Sequence, residues 1–271
     1  MANPTPKFER PPLEEMGMGV QFEPLPNFHA VHFGLFWPRV KAEYPQTEEQ
    51  APVPATRESP EFKLSPAATS SIITYSVPPL PRCWFLTDDK SELIQVQHDR
   101  FVRNWRRVEG GEEYPHFDQL YQDFKRDWEK FLAFANDQNL GPVRVNQCEL
   151  VYVNNIERGD AWTELGELNG VFPVVCAQAP KAFLPPAEVL SWQARYKLPD
   201  ERGRLYVEMS PGLRGRDMKI ILSFNLTARG APIDGSIEQI TDWFDLAHEW
   251  VVRAFAELTG PRVHELWGMK S

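Results

Sequence analysis

The sequence predicts an α+β protein made of two similar units, each a curved antiparallel sheet packed on one long helix. Three observations carry this. The order of elements reads strand, helix, several antiparallel strands, long helix, and then strand, short helix, three strands, long helix. Two long apolar stripes at helical spacing close the two halves, one after Pro115 and one after Ser236. Ahead of the first stripe, residues 92–106 alternate as strands do, with amides and guanidinia on their faces. The arrangement is that of a helix-grip or TBP-like fold with a possible internal duplication. The units run from 1 to 142 and from 143 to 271.

The first unit opens with a proline-rich lead-in. Met16, Met18, Val20 and Phe22 alternate and read as its first strand. Gly17 and Gly19 then share the other side, where something packs closely or the strand bends. Asn27 is the expected cap of a helix reaching about Tyr44-Pro45, with Phe28, Val31, Leu35, Phe36 and Val40 as its stripe. Pro38 should kink it or start a second helix. From about 46 to 70 the period disappears, and Pro52, Pro54, Pro60 and Pro66 mark a long, mobile loop. Strands resume at Ser71–Val77 and Arg82–Leu86, and two more follow within 92–106. Gly110-Gly111 closes the meander. The long helix after Pro115 carries Phe117, Leu120, Phe124, Trp128, Phe131 and Ala135 toward the core.

The second unit begins with a long central strand at 143–156. Gln147, Glu149, Val151 and Val153 lie on one side, and Cys148, Leu150, Tyr152 and Asn154 on the other. A short helix at 161–168 and strands near 188–198, 203–210 and 218–227 follow, with a basic turn at Arg214–Asp217. Ser236, with Gln239 three residues on, forms a capping box for the last helix. Its stripe is Ile237, Ile240, Phe244, Ala247, Val251, Phe255 and Leu258. Leu266-Trp267 should tuck onto the body.

A length of 271 residues, 42% apolar and 25% charged, fits a globular protein with a sizeable core. A net charge of -9 disfavours general nucleic-acid binding, which depends on neutralising phosphates. Cys83, Cys148 and Cys176 are far apart and odd in number, so neither a disulfide framework nor a thiolate zinc site is expected. No signal segment or membrane span is legible, and the expected location is cytoplasmic.

Several short motifs resemble those of the TIGR04255 family, a sporadically distributed and largely uncharacterised group of bacterial proteins of about this length. They are Pro11-Pro12-Leu13, Tyr44-Pro45, Gln95-Val96-Gln97, Asp99-Arg100-Phe101, Asn104-Trp105-Arg106, Tyr114-Pro115, Cys148-Glu149-Leu150 and Tyr152-Val153-Asn154. The resemblance implies relatives and no established activity.

Phosphate loops, serine elbows, His-Glu-x-x-His and close cysteine pairs are all missing from the sequence. No cofactor and no metal site is expected; His29 and His32 share a helical face but lack a third ligand. The candidate site is the polar sheet surface: Gln95, Gln97, Asp99, Arg100, Asn104, Arg106, Glu149 and Asn154. Arg100 or Arg106 is the expected partner of Glu149. These residues form either a buried network that fixes strand register or an exposed site for a polar or anionic partner. The leading function is a non-enzymatic protein-binding module, acting on another protein or a second copy of this chain. The alternatives are a metal-dependent phosphodiester or nucleotide hydrolase using Asp99 or Glu149, and a nucleic-acid-binding protein.

Overall fold

In chain order the elements are β1 (Lys7–Phe8), β2 (Leu13–Phe22), α1 (Val31–Val40), β3 (Gln46–Gln50), β4 (Arg82–Leu86), β5 (Glu92–Gln97), β6 (Arg100–Arg106), α2 (Phe117–Asp137), β7 (Val145–Glu157), α3 (Leu168–Val171), β8 (Trp192–Lys197), β9 (Arg204–Leu213), β10 (Ile220–Gly230), α4 (Ile237–Leu258), α5 (Pro261–Leu266) and β11 (Met269–Lys270). The computed structural model describes residues 5–59, 79–108, 113–159, 161–175, 183, 185 and 187–270. The strand expected at Ser71–Val77, the turn at Gly110-Gly111 and Cys176 lie outside the described residues.

Among the described residues, nine strands form a single antiparallel sheet in the order β3-β4-β5-β6-β2-β7-β10-β9-β8. This corrects the expectation of a separate sheet in each half. Strand β2 pairs with β6 on one side and with β7 on the other. Had β2 and β7 stayed apart, each would present a long row of unpaired backbone groups. Pairing them satisfies both edges at once. β1 and β11 make a separate two-stranded ribbon.

The sheet buries one face under helices. Met16, Met18, Val20, Phe101, Leu150, Leu226 and Val207 point into the core from five neighbouring strands. α2 lies on β6, and α4 lies on β7, β9 and β10. Both expected stripes bury: Phe124, Trp128 and Phe131 from α2, and Phe244, Ala247 and Val251 from α4, are almost wholly enclosed. The Phe124 and Phe244 rings meet edge to face at 5.2 Å, joining the helices to each other. Ser236 caps α4, accepting from the Gln239 amide at 3.3 Å, but the Gln239 carbonyl does not reach back, so only half the capping box forms. Trp267 is buried while Leu266 stays 44% exposed. Among the described residues, no helix is long and apolar enough to cross a membrane.

The first helix departs from expectation. α1 starts at Val31, because Asn27 spends its side-chain amide on the Asn139 carbonyl (2.8 Å) rather than on a helix N-terminus. Only Phe33, Phe36 and Val40 bury, while Val31 and Leu35 face outward. The helix continues through Pro38, and Lys41 still donates to the Trp37 carbonyl at 2.8 Å. The aperiodic stretch after Pro45 is also not wholly a loop. Its first residues form the edge strand β3, paired with β4.

A cluster of charged groups is buried on the helix-covered face, centred on Arg103. Arg103 of β6 is almost wholly buried between Phe101 and Trp105 on that side of the strand. Its Nε lies 3.3 Å from the Asp127 carboxylate of α2, and its Nη2 bonds Glu92 of β5 and approaches Asp123 at 3.5 Å. Asp127 has no exposed surface, and it also accepts from the Tyr44 hydroxyl (2.7 Å) and from Lys130 (3.3 Å). This ionic knot fastens β5, β6, α2 and the end of the α1 turn together. Breaking one side of it strands a charge away from water. Arg103→Met should therefore cost about 3–5 kcal/mol in urea unfolding, and adding Asp127→Leu should restore part of that loss. A single variant within about 1 kcal/mol of wild type would show that the knot is not a buried ion pair in energetic terms.

Candidate functional site

The other face of the sheet carries polar side chains, and the chain itself crosses it. After β3, residues 51–59 leave the edge of the sheet and pass over the strands in their spatial order. Gln97 of β5 grips Val53 at both ends of its peptide: the Val53 amide donates to Oε1 (2.9 Å) and Nε2 donates to the Val53 carbonyl (3.0 Å). Arg100 of β6 donates to the Pro54 carbonyl at 3.1 Å. Gln21 of β2 accepts from the Thr56 amide at 2.9 Å. Gln147 of β7 donates to the Thr56 carbonyl (2.5 Å) and accepts from the Glu58 amide (2.6 Å). At the far end the Glu58 carboxylate meets Arg204 and the Tyr206 hydroxyl (2.5 Å) of β9.

This strap suits its sequence. Pro52 and Pro54 hold φ near the extended value and push the residues before them into extended conformations. An extended chain advances about 3.3 Å per residue while strands lie about 4.8 Å apart, so a strap crossing them meets a new strand every one to two residues. A glutamine side chain presents a carbonyl acceptor and an N–H donor side by side, as the backbone of a strand does. Three glutamines can therefore serve the strap as a neighbouring strand would, although the strap runs across the sheet. The strap side chains Ala55, Thr56 and Arg57 point to solvent. Under it, Gln21, Gln97 and Gln147 are each at most 5% exposed.

The residues expected to form one site fall into separate groups. Gln97 and Asp99 belong together, with Nε2 donating to the Asp99 carboxylate at 2.8 Å, and Arg100 joins them under the strap through Gln21 (2.8 Å). Gln95 and Asn104 form a second group. Gln95 donates to Asn104 (2.7 Å), which donates to Glu15 (2.6 Å), while Arg82 and Trp84 donate to the Gln95 carbonyl. Burial pushes the Glu15 carboxyl up, against the hydrogen bond from Asn104. Gly17 makes this chain possible, since a Cβ there would stand 2.8 Å from the Asn104 amide nitrogen. Arg106 donates to the Lys90 carbonyl at 2.8 Å and lies over the Trp84 ring.

Glu149 does not pair with Arg100 or Arg106. It takes a hydrogen bond from Arg229 at 2.5 Å, because β10 lies beside β7 and places Arg229 directly opposite. Asn154 lies on the helix-covered face, 2% exposed, donating to the Phe224 carbonyl at 3.0 Å. His32 is spent locally, its Nδ1 taking the His29 amide at 2.8 Å. Among the described residues, no group of three or more His, Cys, Asp or Glu is placed to hold a metal ion.

Four of the strap's contacts were not among the sequence candidates: Gln21, Gln147, Arg204 and Tyr206. The available signal was a polar residue at each position where strand alternation called for the second face. In amide exchange, Val53, Thr56 and Glu58 should be protected although they lie outside regular strands. Gln147→Ala should remove protection at 58 and leave Val53 protected, with a loss of about 1–3 kcal/mol locally. Free exchange of all three in the wild-type protein would show that the strap does not hold to the sheet. Comparison of the chain with protein-family models, with curated proteins and with solved structures found no match.

Proposed function

We propose that this protein is a non-enzymatic binding module whose polar sheet face takes an extended protein segment, with residues 53–58 as its occupant in cis. The observation that carries this reading is the double hydrogen bond from Gln97 to the Val53 peptide, repeated in kind by Gln147 around Arg57. Such forks recognise backbone rather than side chains, as strand-addition sites do. The Arg204–Tyr206 pair adds one chemical preference, for a carboxylate at the far end. The hydrolase alternative has less support. Glu149 is neutralised by Arg229, and Asp99 is engaged by Gln97.

The same reading treats the halves divided at residue 142 as two copies of one unit. In each, a seam strand (β2 or β7) is followed by a helical segment and a meander whose last strand (β6 or β10) returns to pair with it, and a long helix closes the unit. Membership of the bacterial family whose motifs the sequence resembles belongs to this proposal too. The partner is another protein or a second copy exchanging its strap.

The test replaces residues 52–58 with a glycine-serine run of equal length, which frees the face. A fluorescent peptide spanning 51–59 should bind this variant saturably and bind wild type about tenfold more weakly or less, because there the face is filled. Binding should be lost with Gln97→Ala and Gln147→Ala together, and weakened by Glu58→Gln in the peptide. A folded open variant that ignores the peptide would overturn the proposal.

A further inference from the structure

The helix-covered side holds a cavity that the strap does not touch. It measures about 410 Å3 and lies between the N-terminal ends of α2 and β2, the middle of α4 and the ribbon strand β1. An apolar cavity of about 150 Å3 holds one benzene, so this one has room for two fused rings. Its walls include Leu13, Phe117, Leu226, Val252 and Phe255. Two of its lining rings form one block: the His248 imidazole stacks on Phe117 with centroids 3.9 Å apart and planes 5° from parallel. Phe8 of β1 covers one end, set edge-on against Phe255 at 5.0 Å.

The polar groups inside are few and converge. The Tyr152 hydroxyl lies 3.0 Å from His248 Nδ1 and 3.3 Å from the Tyr114 hydroxyl. Burial drives the His248 imidazole down to about 4 and raises both tyrosines, so all three groups are uncharged at neutral pH. The charged side chains that line the cavity, Lys7 and Asp118, are exposed and have opposite signs. A charged guest would leave water for an apolar slot that offers no buried counter-charge. A neutral guest would lose little and gain the wall area together with one hydrogen bond from the Tyr114–Tyr152–His248 chain.

We propose that this cavity is a second binding site, for an uncharged, flat, two-ring apolar molecule carrying one hydroxyl or carbonyl. The hydroxyl or carbonyl meets Tyr152, and the rings lie against the His248–Phe117 block. The site is independent of the strap face, and either can stand without the other.

The probes are 2-naphthol, 2-naphthoate and 2-naphthylmethylammonium, measured on the whole protein by equilibrium dialysis at neutral pH. The neutral naphthol should bind about tenfold more tightly than either ion. Tyr152→Phe should weaken naphthol about fivefold and leave naphthalene unchanged. Val252→Trp should fill the slot and abolish binding of both. As a readout that needs no substitution, the wild-type His248 ring protons are also followed by NMR, and naphthol should shift them through its ring current. The proposal is overturned if none of the three probes binds, if an ion binds as tightly as naphthol, or if naphthol binds without moving the His248 resonances.

Discussion

The pairing of β2 with β7 is the constraint on which the rest of the molecule depends. These strands are the seam of the sheet, and their register sets Gln21 directly opposite Gln147. That one cross-strand pair supplies the middle of the row beneath the strap. To one side lie Arg100 and Gln97, and to the other Arg204 and Tyr206. A slip of one residue at the seam would turn every side chain of one strand to the opposite face. It would break the polar row and expose Val20 or Cys148 at the same stroke. The register is held by the apolar residues on the helix side, so the core specifies the polar row beneath the strap.

The two faces of the sheet solve different problems with the same strands. The helix side is packed largely with aromatic rings, and it holds the Arg103 guanidinium because the Asp127, Glu92 and Asp123 carboxylates surround it. The other side is polar and partly enclosed by the chain itself. Buried amides are costly unless their hydrogen bonds are made. The strap makes them: its backbone occupies Gln97 and Gln147, which would otherwise need water. The strap is bound through its own peptide groups, and in turn it completes the hydrogen bonding of the sheet surface.

Much of this was legible in the sequence, and what was not has physical reasons. The stripes of α2 and α4 repeat over several turns, so their buried faces could be read from spacing alone. Alternation in 92–106 placed Gln95 and Gln97 on one face and Ile94 and Val96 on the other. It also put Arg103 beside Phe101 and Trp105, but nothing local announced Asp127, a residue inside an apolar stripe and a helix away. The partner of Glu149 was misassigned because sheet neighbours are set by topology, and β10 lies far along the chain. The strap was least legible. A bound strand lying across a sheet has no period of its own, and Pro52 and Pro54, which look like signs of disorder, in fact stiffen it. The resemblance to a bacterial family offered names for the motifs but no chemistry for the face.

The strap follows directly from β3, which among the described residues is an edge strand paired with β4. An occupant tethered so close to its site faces it at an effective concentration on the order of millimolar. A free partner of the proposed kind, at ordinary cellular abundance, would be at a large disadvantage against it, even with identical contacts. On the proposed reading, occupancy in trans would therefore be governed less by a partner's own affinity than by the state of the tether. Peeling β3 from β4 would lengthen the tether and dilute the resident segment, and the face would then be open to any proposed partner too scarce to compete before.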